Sequence, residues 1–173
     1  AWRFTTQGRP IYTMERRSDS VTLFERDGSK LMQVGDYLYC YGGWSRAPDS
    51  YNEVYRSTGD LSVWVQLPNA PWHRRHTFGI GKIDSTVYIF GGDHLYNEFD
   101  VWRTNDGQNF EQVTESLDNT IGRRLLYGAC VHDNKLFVLG GQSALDHESV
   151  LTDVWVSDDG ANWSQIARDK QFL

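Results

Sequence analysis

The chain has 173 residues, of which 39% are hydrophobic and 14% aromatic, and 17 Lys and Arg against 23 Asp and Glu give a net charge of −6 at pH 7. This balance predicts one compact globular domain and argues against a nucleic-acid partner, because neutralising phosphates requires a positive surface. No apolar run approaches the roughly 20 residues of a membrane-spanning helix. Cys40 and Cys130 lie in apolar runs, so we expect buried free thiols, and the sequence predicts no metal site and no cofactor.

An apolar run that ends in a double glycine occurs three times along the chain. The runs are 34–43, 83–92 and 131–141. The first glycine of each pair is Gly42, Gly91 or Gly140, so the spacing is 49 residues both times. A repeat of this length indicates that the fold is built from similar units placed side by side.

Each double glycine is followed by a polar loop, a strand-like segment, a tight turn and a final aromatic, which is Trp64, Phe110 or Trp163. Each unit therefore predicts four short antiparallel strands, the content of one β-propeller blade. We expect the glycine pairs in the innermost strands, where a side chain would clash with the neighbouring blade. The final aromatics are expected to fill the gaps between blades.

These residues resemble the kelch repeat, and they are most similar to the bacterial kelch and galactose oxidase central-domain-like superfamily. In that variety Asp-Val-Trp runs into Ser-x-Asp-Gly-x-x-Trp, as residues 153–163 do here, and residues 100–110 differ mainly by Thr for Ser and Phe for Trp. The resemblance implies an all-β propeller with about three four-stranded blades in this chain. The predicted divisions are a partial strand of a preceding blade with the segment leading into blade 1, then three blades, at residues 1–28, 29–70, 71–119 and 120–173.

Three blades are too few to close a ring, since propellers have about 4 to 8. Trp2 resembles the last aromatic of an upstream blade, which favours a larger propeller or assembly. The alternative is a homo-oligomer in which two such chains form a six-bladed ring. Both alternatives leave a blade face that another blade has to cover, because exposed apolar surface promotes aggregation.

In this strand order, the connections from strand 2 to 3 and from strand 4 to the next strand 1 lie on one face of the disc. That face is predicted to be rich in Arg, His and aromatic residues, whereas the opposite face collects Asp36, Asp60, Asp84, Asp106, Asp133, Asp158 and Asp159. Arginine binds carboxylates and phosphates through a planar fork, and aromatic rings offer flat apolar contacts. The alternative for any single arginine is a structural pair with a neighbouring blade. The predicted binding residues are Arg16, Arg17, Trp44, Arg46, Trp72, His73, Arg74, Arg75, His76, His94, Tyr96, Arg123, Arg124 and His147.

The resemblance implies a non-enzymatic interaction module that binds a protein or a glycan. One alternative is a sialic-acid-type propeller enzyme whose acid and base candidates are Asp93, His94, Asp146, His147 and Glu148. Another is a structural piece of a virion tail or cell-surface assembly. The compartment is not encoded in any motif, and an extracytoplasmic location is favoured.

Overall fold

The computed structural model describes residues 22–23, 25–45, 49–58, 61–93 and 99–167. Regular structure in these ranges is entirely β and forms three antiparallel sheets of four strands, with one short extra strand in the third. The strands of each sheet are neighbours in chain order, as in a propeller blade. The predicted all-β, kelch-like fold is confirmed. Within the described ranges no helix is long and apolar enough to cross a membrane.

The three sheets are named blades 1, 2 and 3 in chain order. Blade 1 contains β1 (Lys30–Val34), β2 (Tyr37–Ser45), β3 (Asp49–Ser57) and β4 (Val65–Leu67). Blade 2 contains β5 (Gly79–Ile83), β6 (Thr86–Phe90), β7 (Val101–Thr104) and β8 (Glu111–Thr114). Blade 3 contains β9 (Arg124–Leu125), β10 (Gly128–His132), β11 (Lys135–Ser143), β12 (Val150–Ser157) and β13 (Ser164–Ala167). The predicted boundaries between the blades, after residues 28, 70 and 119, stay predictions.

Strand β6 shows why the sequence of a central blade is continuously apolar. Successive side chains of a strand point to opposite faces of the sheet. Val87 and Ile89 pack in the cluster between blades 1 and 2, whereas Tyr88 and Phe90 pack in the cluster between blades 2 and 3. Because both faces of blade 2 are covered, neither set can be polar.

Two aromatic-rich interfaces hold the blades side by side. Phe110 of blade 2 packs edge-on against Tyr41 of blade 1, and Trp163 of blade 3 packs edge-on against Phe90 of blade 2. These contacts confirm that final aromatics fill the gaps between blades. The hydroxyl of Tyr127 in blade 3 also donates to the Phe90 carbonyl at 2.6 Å, so polar contacts fix the relative position of the sheets.

The double glycines lie within the second strand of blades 1 and 3 and directly after the second strand of blade 2, whereas we expect them in the innermost strands. Gly42, Gly91 and Gly140 have φ of 55°, 55° and 56°, a conformation that side chains disfavour. A Cβ on Gly42 would lie 2.7 Å from the Arg75 carbonyl oxygen of blade 2, and a Cβ on Gly91 would lie 2.7 Å from the Tyr127 hydroxyl of blade 3. The expected clash with a neighbouring blade is therefore present, together with a backbone bend that glycine permits.

The arc of three blades leaves an open face on blade 3. A Cβ added to Gly81 of blade 2 would contact a methyl group of Val131, so Val131 faces blade 2. Adjacent residues of a strand point to opposite faces, so Cys130 faces away from blade 2. Cys130 is exposed, and Leu139 on the same face is 40% exposed. Cys40 is buried and free, as expected, but the expectation of burial for Cys130 is wrong, because in the described part of the chain no blade covers β10.

Candidate functional site

The segment that leads into the first strand of a blade pairs with the segment at the end of its second strand, and this holds for all three described blades. In blade 1 the backbones of Asp27 and Trp44 exchange two hydrogen bonds of 2.8 Å, and in blade 2 His76 and Asp93 exchange bonds of 3.1 and 2.9 Å. In blade 3, β9 pairs with the end of β11. The segments before strand 1 and after strand 2 therefore share one surface, which we name the connector face.

The connector faces of blades 1 and 2 are continuous. The rings of Trp44 and His76 lie 6.2 Å apart, and Nδ1 of His76 is 3.1 Å from the Ser50 hydroxyl of blade 1. Nε2 of the same imidazole is 3.5 Å from a carboxylate oxygen of Asp93. An aromatic ring, an imidazole and a carboxylate thus meet where two blades join, and Trp44 remains 37% exposed.

Two of the predicted binding arginines, Arg75 and Arg124, lie in the interior of their own blades. Arg75 is 0% exposed; both of its terminal nitrogens contact the Asp100 carboxylate, and one donates to the Gly91 carbonyl at 2.9 Å. Arg124 is 2% exposed and makes the same contacts with Asp153 and the Gly140 carbonyl. Neither guanidinium reaches the connector face, so we leave both residues out of the proposed contact surface.

A third arginine of this kind, Arg26, was missed in the sequence. It donates to the Gly42 carbonyl at 3.0 Å and to Glu53 at 2.9 Å, and its guanidinium lies over the rings of Tyr51 and Tyr55. The positions 26, 75 and 124 repeat with the same 49-residue spacing as the glycines, which was the available signal. These arginines therefore form structural pairs, the alternative to a binding role. Each side chain pairs within its own blade and not with a neighbouring blade as that alternative expected.

The pKa of one partner acid, Asp153, reflects these contacts. Burial alone would raise the pKa of Asp153, but hydrogen bonds from Arg124 and from Trp155 outweigh it and lower that pKa. The Trp155 indole donates to Asp153 at 2.7 Å, and the Trp102 indole donates to Asp100 at 2.8 Å. The Asp-Val-Trp segment thus supplies both the acid and a second donor for it.

The remaining predicted residues are divided between surface and interior. His73, Arg74 and His147 are exposed, and Arg123 is partly exposed and pairs with Asp118 at 2.6 Å. Trp72 is buried, with 3% exposure. Five predicted residues lie outside the described ranges and are Arg16, Arg17, Arg46, His94 and Tyr96.

Two of the candidate acid and base groups, Asp93 and Asp146, are held in local structure, and His94 lies outside the described residues. Asp93 faces His76 as described, and Asp146 accepts from the backbone and the hydroxyl of Ser149, at 3.1 and 2.6 Å. These hydrogen bonds hold the pKa of Asp146 well below its usual range. Such a carboxylate caps a turn and is poorly suited to take up a proton as a general base near neutral pH.

The opposite face is acidic, as predicted. Its turns join strand 1 to 2 and strand 3 to 4, and they hold the six described aspartates of the predicted set, all exposed. Asp106 and Asp159 shape their turns by accepting backbone hydrogen bonds from residues two and three positions later. Asp60 lies outside the described ranges.

Comparison with known proteins agrees with this geometry. The Kelch motif matches residues 123–156, which run from the buried-arginine segment through β12. The chain is a kelch-like repeat protein. It is 27% identical over 124 residues to Kelch repeat and BTB domain-containing protein 2 of Cowpox virus (strain GRI-90 / Grishak), covering 69% of this chain and 21% of that protein. It is 30% identical over 112 residues to the protein of the same name from Horsepox virus, covering 64% and 20%.

This kelch-like chain spans about a fifth of the length of the curated relatives that it matches. Kelch repeats generally mediate protein–protein interaction. The matched segment contains Arg124, the double glycine at 140–141 and the Val154–Trp155 strand, so the likeness bears on the scaffold and not on particular contact residues.

Proposed function

We propose that this chain is a protein-binding module whose contact surface is the connector face. The observation that carries the proposal is the backbone pairing of the two connectors in every blade. Trp44 and His76 meet at this pairing, and the exposed His73 and Arg74 lie in the same connector as His76. Surface loops fixed by a rigid sheet are where propellers and other β scaffolds carry binding residues.

The surface combines aromatic rings with charged side chains, and this combination suits a protein partner. Trp44 and His76 offer flat, partly exposed rings, and tryptophan and arginine are the residues most enriched among interface hot spots. Arg74 is exposed and is adjacent in sequence to Arg75, whose own side chain is buried in an ion pair. A protein is favoured over a glycan because the relatives share a repeat that generally mediates protein–protein interaction.

The experiment compares the proteins captured by the tagged chain with those captured by a Trp44→Ser/Arg74→Glu double variant, quantified by mass spectrometry after cross-linking. Both positions are on the connector face, and neither belongs to a buried ion pair. We expect a specific partner to be depleted roughly tenfold or more with the double variant, because losing one hot-spot residue costs about 2 kcal/mol.

The matched control is Lys135→Glu, which makes the same charge change on the opposite face. Lys135 pairs with Asp158 at an exposed site, and exposed pairs contribute about 1 kcal/mol or less to stability. Equal loss of partner with the control, or no loss with the double variant, contradicts the proposed surface.

The open blade 3 face supports a second element of the proposal, that another blade covers it. Its residues Phe137, Leu139 and Val154 occupy the same places in the sheet as Tyr88, Phe90 and Val101, which form the interface between blades 2 and 3. The covering blade comes from a second copy or from a larger propeller. Mass measurement of the folded chain in solution tests this, since a stable monomer with this face in water excludes closure by a second copy.

A further inference from the structure

A pocket of about 370 Å³ lies between the connector that leads into blade 2 and the last two strands of that blade. Trp72 and His73 line the pocket from the connector. The other lining residues used below are Asp100 just before β7, Trp102 in β7, Gln112 in β8 and Glu115 just after β8. Pockets that bind small groups have volumes of roughly 300 to 1,000 Å³, so this one is large enough for a long side chain and part of its backbone.

The aromatic part of the pocket is held in place from several sides. The rings of Trp72 and Trp102 lie 5.9 Å apart, and Phe110 packs edge-on against Trp72 at 4.6 Å. The hydrogen bond from the Trp102 indole to Asp100 fixes the second ring. A rigid aromatic site loses little conformational entropy when it binds a ligand.

This aromatic pair is not a product of the repeat. The positions 49 residues before and after Trp72 are occupied by Leu23 and Ile121. The other blades therefore lack an indole at this place, although the arginine and its acid recur in the third blade. The pocket is a feature of blade 2 that the scaffold does not require.

The charge in the pocket is negative. The Asp100 carboxylate is neutralised by the two-point contact with Arg75 behind it. Glu115 is exposed, and among the described residues no ion pair involves it. One exposed carboxylate in a pocket with the partly exposed Trp102 ring favours a cation, because aromatic faces attract cations and a carboxylate binds guanidinium in two-point geometry.

We propose that this pocket binds an arginine side chain of a partner protein, with the guanidinium beside Glu115 and the partly exposed Trp102 ring. Arginine fits better than lysine, because its planar group both stacks on aromatic rings and pairs with a carboxylate through two bonds. The inference rests on the protein-binding function proposed above and names the chemistry of the partner segment.

The test uses the folded chain with ¹⁵N-labelled tryptophan, titrated with the capped peptide N-acetyl-Gly-Arg-Gly-amide and followed through the indole N–H signals. Trp72→Phe and Trp102→Phe assign the two signals. Saturable shifts of both signals with the arginine peptide, absent with the matched peptide that carries neutral citrulline, support the proposal. Equal shifts with both peptides overturn recognition of the positive charge, and absence of shifts overturns the site.

Glu115→Gln is the deciding variant, because the position is exposed and the substitution keeps the shape of the side chain. We expect the arginine peptide to bind at least about fivefold more weakly to this variant. Glu25→Gln, an equal loss of charge at an exposed position before blade 1 and outside the pocket, should bind as the parent chain does. Unchanged binding to Glu115→Gln overturns the proposal.

The same titration separates this inference from the proposed function. If the Trp44→Ser/Arg74→Glu variant loses its partner but still binds the peptide, both proposals stand. If the peptide fails to bind the pocket while the partner is still captured through the connector face, only the pocket assignment is overturned.

Discussion

Arg75 and Asp100 form a buried ion pair in which both terminal nitrogens of the guanidinium contact one carboxylate. The same nitrogen that contacts Oδ1 also donates to the carbonyl of Gly91, the first glycine of the pair in blade 2. The arginine therefore joins the strand 2 end of its blade to the strand 3 start. Arg124 repeats the arrangement with Gly140 and Asp153, so the motif is a structural unit of the repeat.

Arg75→Ala is expected to lower the free energy of unfolding by about 3–5 kcal/mol, because it leaves the buried Asp100 carboxylate without its partner. Urea denaturation followed by tryptophan fluorescence measures the change. Arg74→Ala, the exposed neighbour, should stay within about 0.5 kcal/mol of the parent chain. Similar losses for the two variants are incompatible with a structural role confined to Arg75.

Gly91→Ala is expected to destabilise the chain more than Gly35→Ala by about 1–3 kcal/mol. Both glycines have positive φ, 55° and 57°, so both substitutions carry the backbone strain. Only at Gly91 would the new Cβ lie 2.7 Å from the Tyr127 hydroxyl and 2.9 Å from the Phe99 ring, whereas nothing lies within 4 Å at Gly35. If the two variants lose equal free energy of unfolding in urea denaturation, that result would falsify close packing as an additional reason for glycine at position 91.

The repeat could be predicted from the sequence because each unit carries its own local chemistry. The glycine at 42, 91 or 140 marks a backbone bend, and the aromatic at 110 or 163 marks a contact with the preceding blade. Both are properties of short segments, and they recur in each unit. Strand order within a blade follows from the same segments, since consecutive antiparallel strands with short connections pair with their neighbours.

The roles of the arginines could not be read from residue type alone. An arginine in a connector can face solvent or turn inward, and the choice at Arg75 depends on Asp100, which is 25 residues away in sequence. The exposed Arg74 and the buried Arg75 are adjacent, so composition does not distinguish them. The 49-residue spacing of Arg26, Arg75 and Arg124 with the glycines was the better guide, because a side chain that repeats in phase with the backbone bends serves the scaffold.

The pocket beside Trp72 was beyond sequence reasoning for a related reason. It depends on how the connector leading into blade 2 lies against β7 and β8, which is a packing relationship between segments. Trp72 itself was predicted as a surface residue, but it is buried against Phe110 and Trp102. Only the three-dimensional arrangement shows that the same ring lines a cavity.

The turn at Asp106 predicts a specific pH dependence of stability. Burial alone would raise the pKa of Asp106, but hydrogen bonds from Asn109, Gln108 and Thr104 outweigh it and lower the pKa to about 2. A carboxyl group whose pKa is lower in the folded chain than in the unfolded chain adds stability above the unfolded value near 4. That contribution is lost as the pH falls from about 4 to about 2.

Asp106→Asn should therefore lower the free energy of unfolding at pH 7 by about 1 kcal/mol and reduce its decline between pH 4 and pH 2. Urea denaturation at several pH values across this window measures both effects. Asp36→Asn, an exposed aspartate in the turn between β1 and β2, serves as the control for loss of one negative charge. If the two variants follow the same pH curve, the turn hydrogen bonds at Asp106 are not the cause.

The two cysteines are expected to differ in reactivity because only one is accessible. Cys130 is exposed on the open face of blade 3, whereas Cys40 is buried, and burial raises the pKa of its thiol. The thiolate is the form that reacts, so an aromatic disulfide reagent should modify one thiol in the native chain and the second only after unfolding. Cys130→Ser should abolish the rapid native reaction.

The same thiol reports whether a blade covers β10. If copies of the chain associate through the blade 3 face, the reaction at Cys130 should slow as the protein concentration rises, because Cys130 and Leu139 share that face. Leu139→Lys should remove this protection, since it places a charge where an apolar contact forms. A rate that is independent of concentration, with one thiol reacting throughout, means that copies of this chain leave the face uncovered.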